Sequence, residues 1–110
     1  ESPNVTKNGN DGDSSGDMPT LSYRIQIGAF KQARSPQTDF IRNSGFKIEE
    51  EQMSNGFYRY LTENFYNLEN TQEKLNGLKT KGYSKSFIVP YHKGSRLKIS
   101  PEQADEQFGR

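Results

Sequence analysis

The side chains in this sequence that could recognise a ligand stand in two short segments where polar and apolar residues alternate. Arg24 and Gln26 alternate with a tyrosine and two isoleucines, and Phe57 and Arg59 alternate with two tyrosines. An aromatic ring can pack on the apolar face of a sugar, while amide and guanidinium groups hydrogen-bond hydroxyls, amides and carboxylates. These residue types together are suited to binding a carbohydrate.

The sequence lacks the residue combinations of catalytic and metal sites. It has no cysteine, which excludes disulfides and thiolate chemistry, and its single histidine, His92, cannot by itself form a histidine-rich metal site or a catalytic relay. The run Glu49, Glu50 and Glu51 is expected to be a solvated strand end, because neighbouring residues on a strand point to opposite faces. We therefore expect no enzymatic activity, no metal and no cofactor.

Composition divides the 110 residues into three parts. Hydrophobic residues make up only 29% of the chain, and the mean hydropathy is −1.06. Residues 1–19 are rich in Asn, Asp, Gly and Ser and carry a net charge of −3, so we expect a disordered linker. Residues 20–92 are expected to form one domain, and residues 93–110 a C-terminal extension.

Charge and hydropathy limit the partners of the domain. Residues 20–100 contain 13 basic and seven acidic residues, a net charge of +6, which suits an anionic partner mildly but is far below a nucleic-acid-binding stripe. No run approaches the roughly 18–20 apolar residues of a membrane helix. We expect no membrane contact by this chain, which we take to be a fragment of a longer protein.

Hydrophobic periodicity predicts the order strand, helix, strand, strand, helix, strand. A tight hairpin at Asn55 and Gly56 joins the second and third strands. The first helix is predicted from a cap at Ser35 to Ser44, and the second from a cap at Asn70 to Gly82. The predicted strands are residues 21–28, 46–52, 57–62 and 84–90.

This order is that of an α+β, ferredoxin-like fold, with a four-stranded antiparallel sheet and both helices on one face. Residues 94–100 have the pattern of a short extra strand. The segment from Ser100 onward has the pattern of a helix start. If Ile25 and Tyr60 pack under the helices, the alternation points Arg24, Gln26, Phe57 and Arg59 to the uncovered face.

Three segments resemble the SPOR domain family. Residues 23–30, YRIQIGAF, resemble its first strand, and residues 56–60, GFYRY, resemble its strand after the hairpin. Residues 75–89 resemble its second helix and last strand. The chain departs from the family pattern at Ala29, where many members have a serine, and at residues 63–64, Glu-Asn, where Gly-Pro is frequent.

SPOR domains are bacterial envelope modules that bind peptidoglycan glycan strands stripped of their stem peptides, often at the division septum. The resemblance implies that Gln26, Phe57, Arg59 and Phe87 contact the glycan, with Arg24 on the same face. It also implies a location in the cell envelope or periplasm. We expect a monomer and no nucleic-acid partner.

Plainer interpretations stay open. Gln26 could be an ordinary exposed strand residue, Phe57 a capping aromatic at the hairpin, and Arg59 a solvated cross-strand partner, for instance of Glu49. For the whole domain, the alternatives are a single-stranded RNA-binding module of the RRM type, which stacks bases on sheet aromatics, and a protein-interaction domain on the same fold. Against the RNA alternative, the first strand offers Gln26 in place of an aromatic residue.

Overall fold

The computed structural model describes residues 20–35 and 38–109, so the predicted linker 1–19 lies outside the described residues. Within those ranges the chain forms five strands and three helices. The strands are β1 (Leu21–Phe30), β2 (Ile48–Gln52), β3 (Tyr58–Thr62), β4 (Phe87–His92) and β5 (Ser95–Arg96). The helices are α1 (Asp39–Arg42), α2 (Leu68–Thr80) and α3 (Pro101–Phe108).

The strands of the described part form one antiparallel sheet in the order β2-β3-β1-β4-β5. β1 is the central strand, because it pairs with β3 on one side and with β4 on the other. The predicted α+β class is confirmed. The predicted count of four strands is one too few, because β5 pairs with β4 through Tyr91 and His92.

The core lies between one face of this sheet and the helices. Tyr23 and Ile25 of β1 are 1% and 0% exposed, and every second residue of β1 from Leu21 to Ile27 is buried there. Tyr60 of β3 joins the same cluster, which confirms its predicted inward direction. Burying a large apolar side chain stabilises a fold by roughly 1.5–3 kcal/mol. The alternating apolar residues of β1 therefore hold the sheet against the helices.

The hairpin between β2 and β3 forms at the predicted turn. Gly56 has a φ of +90°, a left-handed conformation that glycine adopts without steric cost. Its amide donates to the carbonyl of Met53, and the Met53 amide donates to the carbonyl of Phe57. The turn thereby fixes the register in which Glu51 of β2 faces Arg59 of β3.

Helix α1 is shorter than predicted. It begins at Asp39, after Thr38, so the predicted start at Ser35 is wrong, and residues 36–37 lie outside the described residues. Phe40 packs edge-on against Phe30 with 5.2 Å between ring centroids. This aromatic contact with the end of β1 holds the short helix on the sheet.

The N-cap of helix α2 lies three residues before the predicted cap, Asn70. Asn67 is the N-cap, and its side chain accepts a hydrogen bond from the Asn70 amide at 2.8 Å. Asn70 therefore lies inside the helix and is not its cap. Thr71 and Leu78 are buried against the sheet, as their helical spacing predicts, and Gly82 follows the helix with a φ of +108°.

Helix α3 packs the C-terminal extension onto the same core. Ser100 and Gln103 form a reciprocal capping box, in which each accepts from the other's backbone amide at 3.1 Å. Ala104 is 0% exposed, and the Tyr23 hydroxyl donates to Asp105 at 3.2 Å. Residues 93–109 of the predicted extension thus add a strand to the sheet and a helix to the layer over β1 and β4.

Replacing Tyr23 by phenylalanine should lower the free energy of unfolding at neutral pH by about 1 kcal/mol, because the hydrogen bond to Asp105 is lost. Burial and the charge of Asp105 raise the pKa of Tyr23 to about 12. Such a phenol stabilises the fold fully below its unfolded pKa of about 10, and this contribution disappears as the pH rises through 12. The parent's advantage over Tyr23→Phe should therefore shrink above pH 10 in urea unfolding.

Tyr66 supplies the control for that titration, because its side chain is exposed. Tyr66→Phe should unfold at the same urea concentration as the parent at neutral pH, because no side-chain hydrogen bond to a carboxylate is removed among the described residues. A difference between parent and Tyr23→Phe that stays constant up to pH 12 would show that the Tyr23–Asp105 contact does not stabilise the fold.

Candidate ligand-binding face

The sheet surface opposite the helices is called the open face. Antiparallel partners point to the same side of a sheet, so the register assigns its members. One row runs Glu49, Leu61, Gln26 and Phe87 across β2, β3, β1 and β4. The other residues of the open face are Ser22, Arg24, Glu51, Arg59, Val89, Tyr91 and Arg96.

Arg24 reaches across the neighbouring strand. Its Nε donates to the carbonyl oxygen of Thr62 at 2.7 Å, and its Nη2 lies 2.5 Å from Glu49 Oε1 on β2. The same guanidinium lies 5.6 Å from the centroid of the Tyr91 ring. Only 13% of the Arg24 side chain is exposed, so this arginine is fixed in place and already paired.

Arg59 forms the second ion pair of the open face. Its Nε lies 2.5 Å from Glu51 Oε1, so its partner is Glu51 and not Glu49, which the sequence suggested. The hydrogen bond from Arg59 lowers the pKa of Glu51, with further contributions from the charges of Arg59, Arg24 and Arg96. The positive charges of the open face therefore favour the ionised form of Glu51.

The acidic run of β2 is solvent-exposed at Glu49 and Glu50, as predicted, but its carboxylates also have partners. Glu49 and Glu51 pair with arginines on the open face, while Glu50 points to the other side and accepts from the Tyr60 hydroxyl at 2.8 Å. The predicted alternation of faces is confirmed. Each of the three carboxylates has a specific partner.

An apolar cluster of Leu61, Val89 and Tyr91 lies on the open face. These residues are 0%, 3% and 5% exposed, although no helix among the described elements packs on this side. Arginine stems can cover apolar surface while their charged ends reach polar partners. The path of Arg24 from β1 to Glu49 crosses β3, which accounts for the burial of Leu61.

Phe87 is the exposed aromatic of the open face. Its side chain is 45% exposed, and it lies opposite Gln26. A groove of about 480 Å³ begins beside these two residues and continues past Ala29 to Tyr83 and Lys85. A ligand lying on the face next to Phe87 could extend into this groove.

The groove depends on Gly28. A Cβ added there would lie 2.9 Å from Phe40 Cζ and 3.1 Å from the Phe30 ring, so a side chain would displace one of these rings. Glycine thus permits the close approach of α1 to β1. The pairing of β1 with β3 is irregular at this point, between Gln26 and Gly28.

Gln26 contacts a residue that was not predicted for the site. Its Oε1 accepts a hydrogen bond from Arg96 Nη1 at 3.2 Å. Arg96 belongs to β5 and lies opposite Tyr91. Its guanidinium therefore crosses β4 to reach β1, as that of Arg24 crosses β3.

The structure groups four of the five predicted site residues on the open face: Gln26, Arg24, Arg59 and Phe87. Phe57 differs. It precedes β3, is half-buried, and joins neither apolar cluster of the described residues. Its amide donates to Asn55 Oδ1 at 3.0 Å, which places Phe57 in the hairpin.

Sequence reasoning missed Tyr91, Arg96 and the pairing role of Glu51. Phe87, Val89 and Tyr91 are spaced by two residues and therefore share a face of β4, so a predicted strand that continued past Pro90 would have included Tyr91. The predicted strand ended at Pro90 because proline is rare inside paired strands. Arg96 lies in the segment 94–100 that was predicted as a short extra strand, but with two paired residues β5 does not show from the sequence which face Arg96 takes.

No family model matches this chain, no curated protein is similar enough to count as a relative, and no solved structure matches its fold. Among the described residues, no group of three histidine, aspartate or glutamate side chains could hold a metal ion. No helix in residues 20–35 and 38–109 is long and apolar enough to cross a membrane.

Leu61→Ala should lower the free energy of unfolding by about 2–4 kcal/mol, the cost of a cavity in a packed core, although Leu61 lies on the face without helices. Phe87→Ala, on the same row, should cost less than about 1 kcal/mol because the ring is already largely exposed. Chemical denaturation of both variants measures the difference. If both variants lose the same small amount of unfolding free energy, the side chain of Arg24 does not pack on Leu61.

Proposed function

We propose that this chain is a non-catalytic module that binds peptidoglycan glycan strands lacking stem peptides on the open face of its sheet. Its framework would be the ferredoxin-like βαββαβ arrangement, extended by β5 and α3. The observation that carries the proposal is the exposed Phe87 ring beside Gln26 and a group of arginines, on a sheet face without helices in the described part.

The segments that resemble SPOR domains supply these residues. Residues 23–30 form most of β1 and contribute Gln26, and the GFYRY segment leads into β3 and contributes Arg59. Residues 87–89, with the sequence FIV, are the first three residues of β4 and contribute Phe87. The strand order β2-β3-β1-β4 is the one a ferredoxin-like sheet requires, and β5 adds to its edge.

A bare glycan strand offers chemistry that matches this face. Its sugars have apolar ring faces for Phe87, and acetamido groups and hydroxyls for the Gln26 amide. Its lactyl groups carry free carboxylates, which guanidinium groups bind through charge-assisted hydrogen bonds. The groove beside Phe87 lengthens the surface along which an extended polymer could lie.

The proposal includes a location and a mode of action. A glycan-binding module would act in the bacterial cell envelope, where it would hold an attached protein on the wall. It would work as a monomer without cofactor, since one open face suffices for one strand. Binding alone would be its activity.

Purified sacculi treated with an amidase, which removes stem peptides, should retain the chain better than untreated sacculi in a pull-down. Raising the salt concentration should weaken retention only modestly, because Arg24 and Arg59 are already neutralised by glutamates. Equal retention by both preparations would contradict the proposal. Binding to single-stranded RNA with a steep salt dependence would favour the RRM-type alternative.

Phe87→Ala should weaken binding to amidase-treated sacculi by about tenfold, because an aromatic anchor is lost at the centre of the site. Gln26→Ala should weaken it by a similar or smaller factor. Tyr66→Ala is the matched control, since Tyr66 is also an exposed aromatic, at 43%, but lies beside α3. If Tyr66→Ala weakens binding and Phe87→Ala does not, the ligand lies elsewhere on the molecule.

A further inference from the structure

The hairpin between β4 and β5 places Arg96 on the open face. Its two turn residues, Lys93 and Gly94, have φ angles of +52° and +83°. Positive φ at both positions is typical of the two-residue turn that suits the twist of a hairpin. The turn pairs His92 with Ser95 and Tyr91 with Arg96, so Arg96 points to the same side as Tyr91.

The segment after β5 holds this arginine in register. The Leu97 amide donates to the carbonyl of Pro90 at 2.9 Å, and Leu97 and Ile99 pack against the core on the helix side. α3 then packs on β1 and β4, with Ala104 fully buried. The backbone beside Arg96 is therefore fixed from both directions along the chain.

Arg96 differs from the other two arginines of the open face. Arg24 and Arg59 each have a glutamate oxygen at 2.5 Å. Within the described residues, Arg96 has no carboxylate partner at ion-pair distance, and its Nη1 donates to the neutral oxygen of Gln26. Its charge nevertheless contributes to the lowered pKa of Glu51, so it lies close to the paired charges.

We propose that Arg96 binds the free carboxylate that a glycan strand exposes once its stem peptide has been removed. This assignment rests on the proposed function. In a strand with stem peptides, each lactyl group ends in an amide and has no negative charge. After peptide removal it ends in a carboxylate, which a guanidinium can bind through two parallel hydrogen bonds.

Arg24 and Arg59 are less suited to this role. Each already has a glutamate partner, and the negative charge of Glu49 or Glu51 would repel a ligand carboxylate at the same guanidinium. Arg96 has five N–H donors and uses one of them on Gln26. It can accept an anionic ligand without breaking an ion pair, and the Gln26 side chain stays beside it to contact the same sugar.

Binding to two preparations of the same glycan tests the assignment. One is amidase-treated glycan strands with free lactyl carboxylates, and the other is the same strands after conversion of these carboxylates to methylamides. The parent chain should bind the free-carboxylate form about tenfold more tightly, the usual worth of one charge-assisted hydrogen bond. Arg96→Gln should bind both forms equally, at the level of the parent with the methylamide form.

Two further variants serve as controls. Lys98→Gln removes the same charge from an exposed position two residues away and should keep the tenfold preference. Arg96→Lys keeps the charge but not the planar pair of donors and should show an intermediate preference. Thermal melting of Arg96→Gln should match that of the parent within a few degrees, which shows that a lost preference is not lost folding.

Other outcomes would overturn the assignment in distinguishable ways. If Arg96→Gln keeps the preference, or if Arg59→Gln loses it while Arg96→Gln does not, Arg96 is not the carboxylate-binding residue although the proposed function holds. If the parent binds both preparations equally, free carboxylates are not recognised at all. If it binds neither, the proposed function fails together with this assignment.

Discussion

The two faces of this sheet depend on the pairing of β1 with a strand on each of its sides. A central strand cannot slip by one residue without exchanging its buried and outward side chains, and here that slip would bury Arg24 and Gln26 under the helices. The burial of Tyr23 and Ile25 against α2 and α3 therefore also fixes the direction of the ligand-facing residues. The core and the open face are set by one register.

A sheet with helices on one side only must keep its other side from exposing apolar surface. Leu61, Val89 and Tyr91 lie there, and within residues 20–35 and 38–109 long polar side chains cover them and no helix does. The ion pairs of Arg24 and Arg59 hold those side chains flat against the sheet. The arginines thus serve the stability of the domain, and substituting either of them would disturb packing as well as charge.

The sequence predicted features that depend on periodicity and turn chemistry, and it failed where partners come from distant segments. The alternation in residues 21–28 placed Arg24 and Gln26 correctly, and Asn55–Gly56 formed the expected hairpin. The cap of α2 was misplaced, because Asn67 and Asn70 are equally good local candidates and only the packing of the helix selects between them. The Arg59–Glu51 pair follows from the register that the hairpin turn sets, whereas the Arg96–Gln26 contact joins positions 70 residues apart, which no local pattern encodes.

The ion pairs also change what the net charge of the domain means. A charge of +6 over residues 20–100 suggests attraction to a polyanion, yet two of the three arginines on the open face are neutralised by glutamates at 2.5 Å. A polyanion with closely spaced charges gains affinity by meeting many unpaired cations at once. In the described part of the chain, this face has one guanidinium without a carboxylate partner, beside an amide and an exposed ring. Such a face suits a ligand whose charges are sparse and whose sugar rings contribute most of the contact.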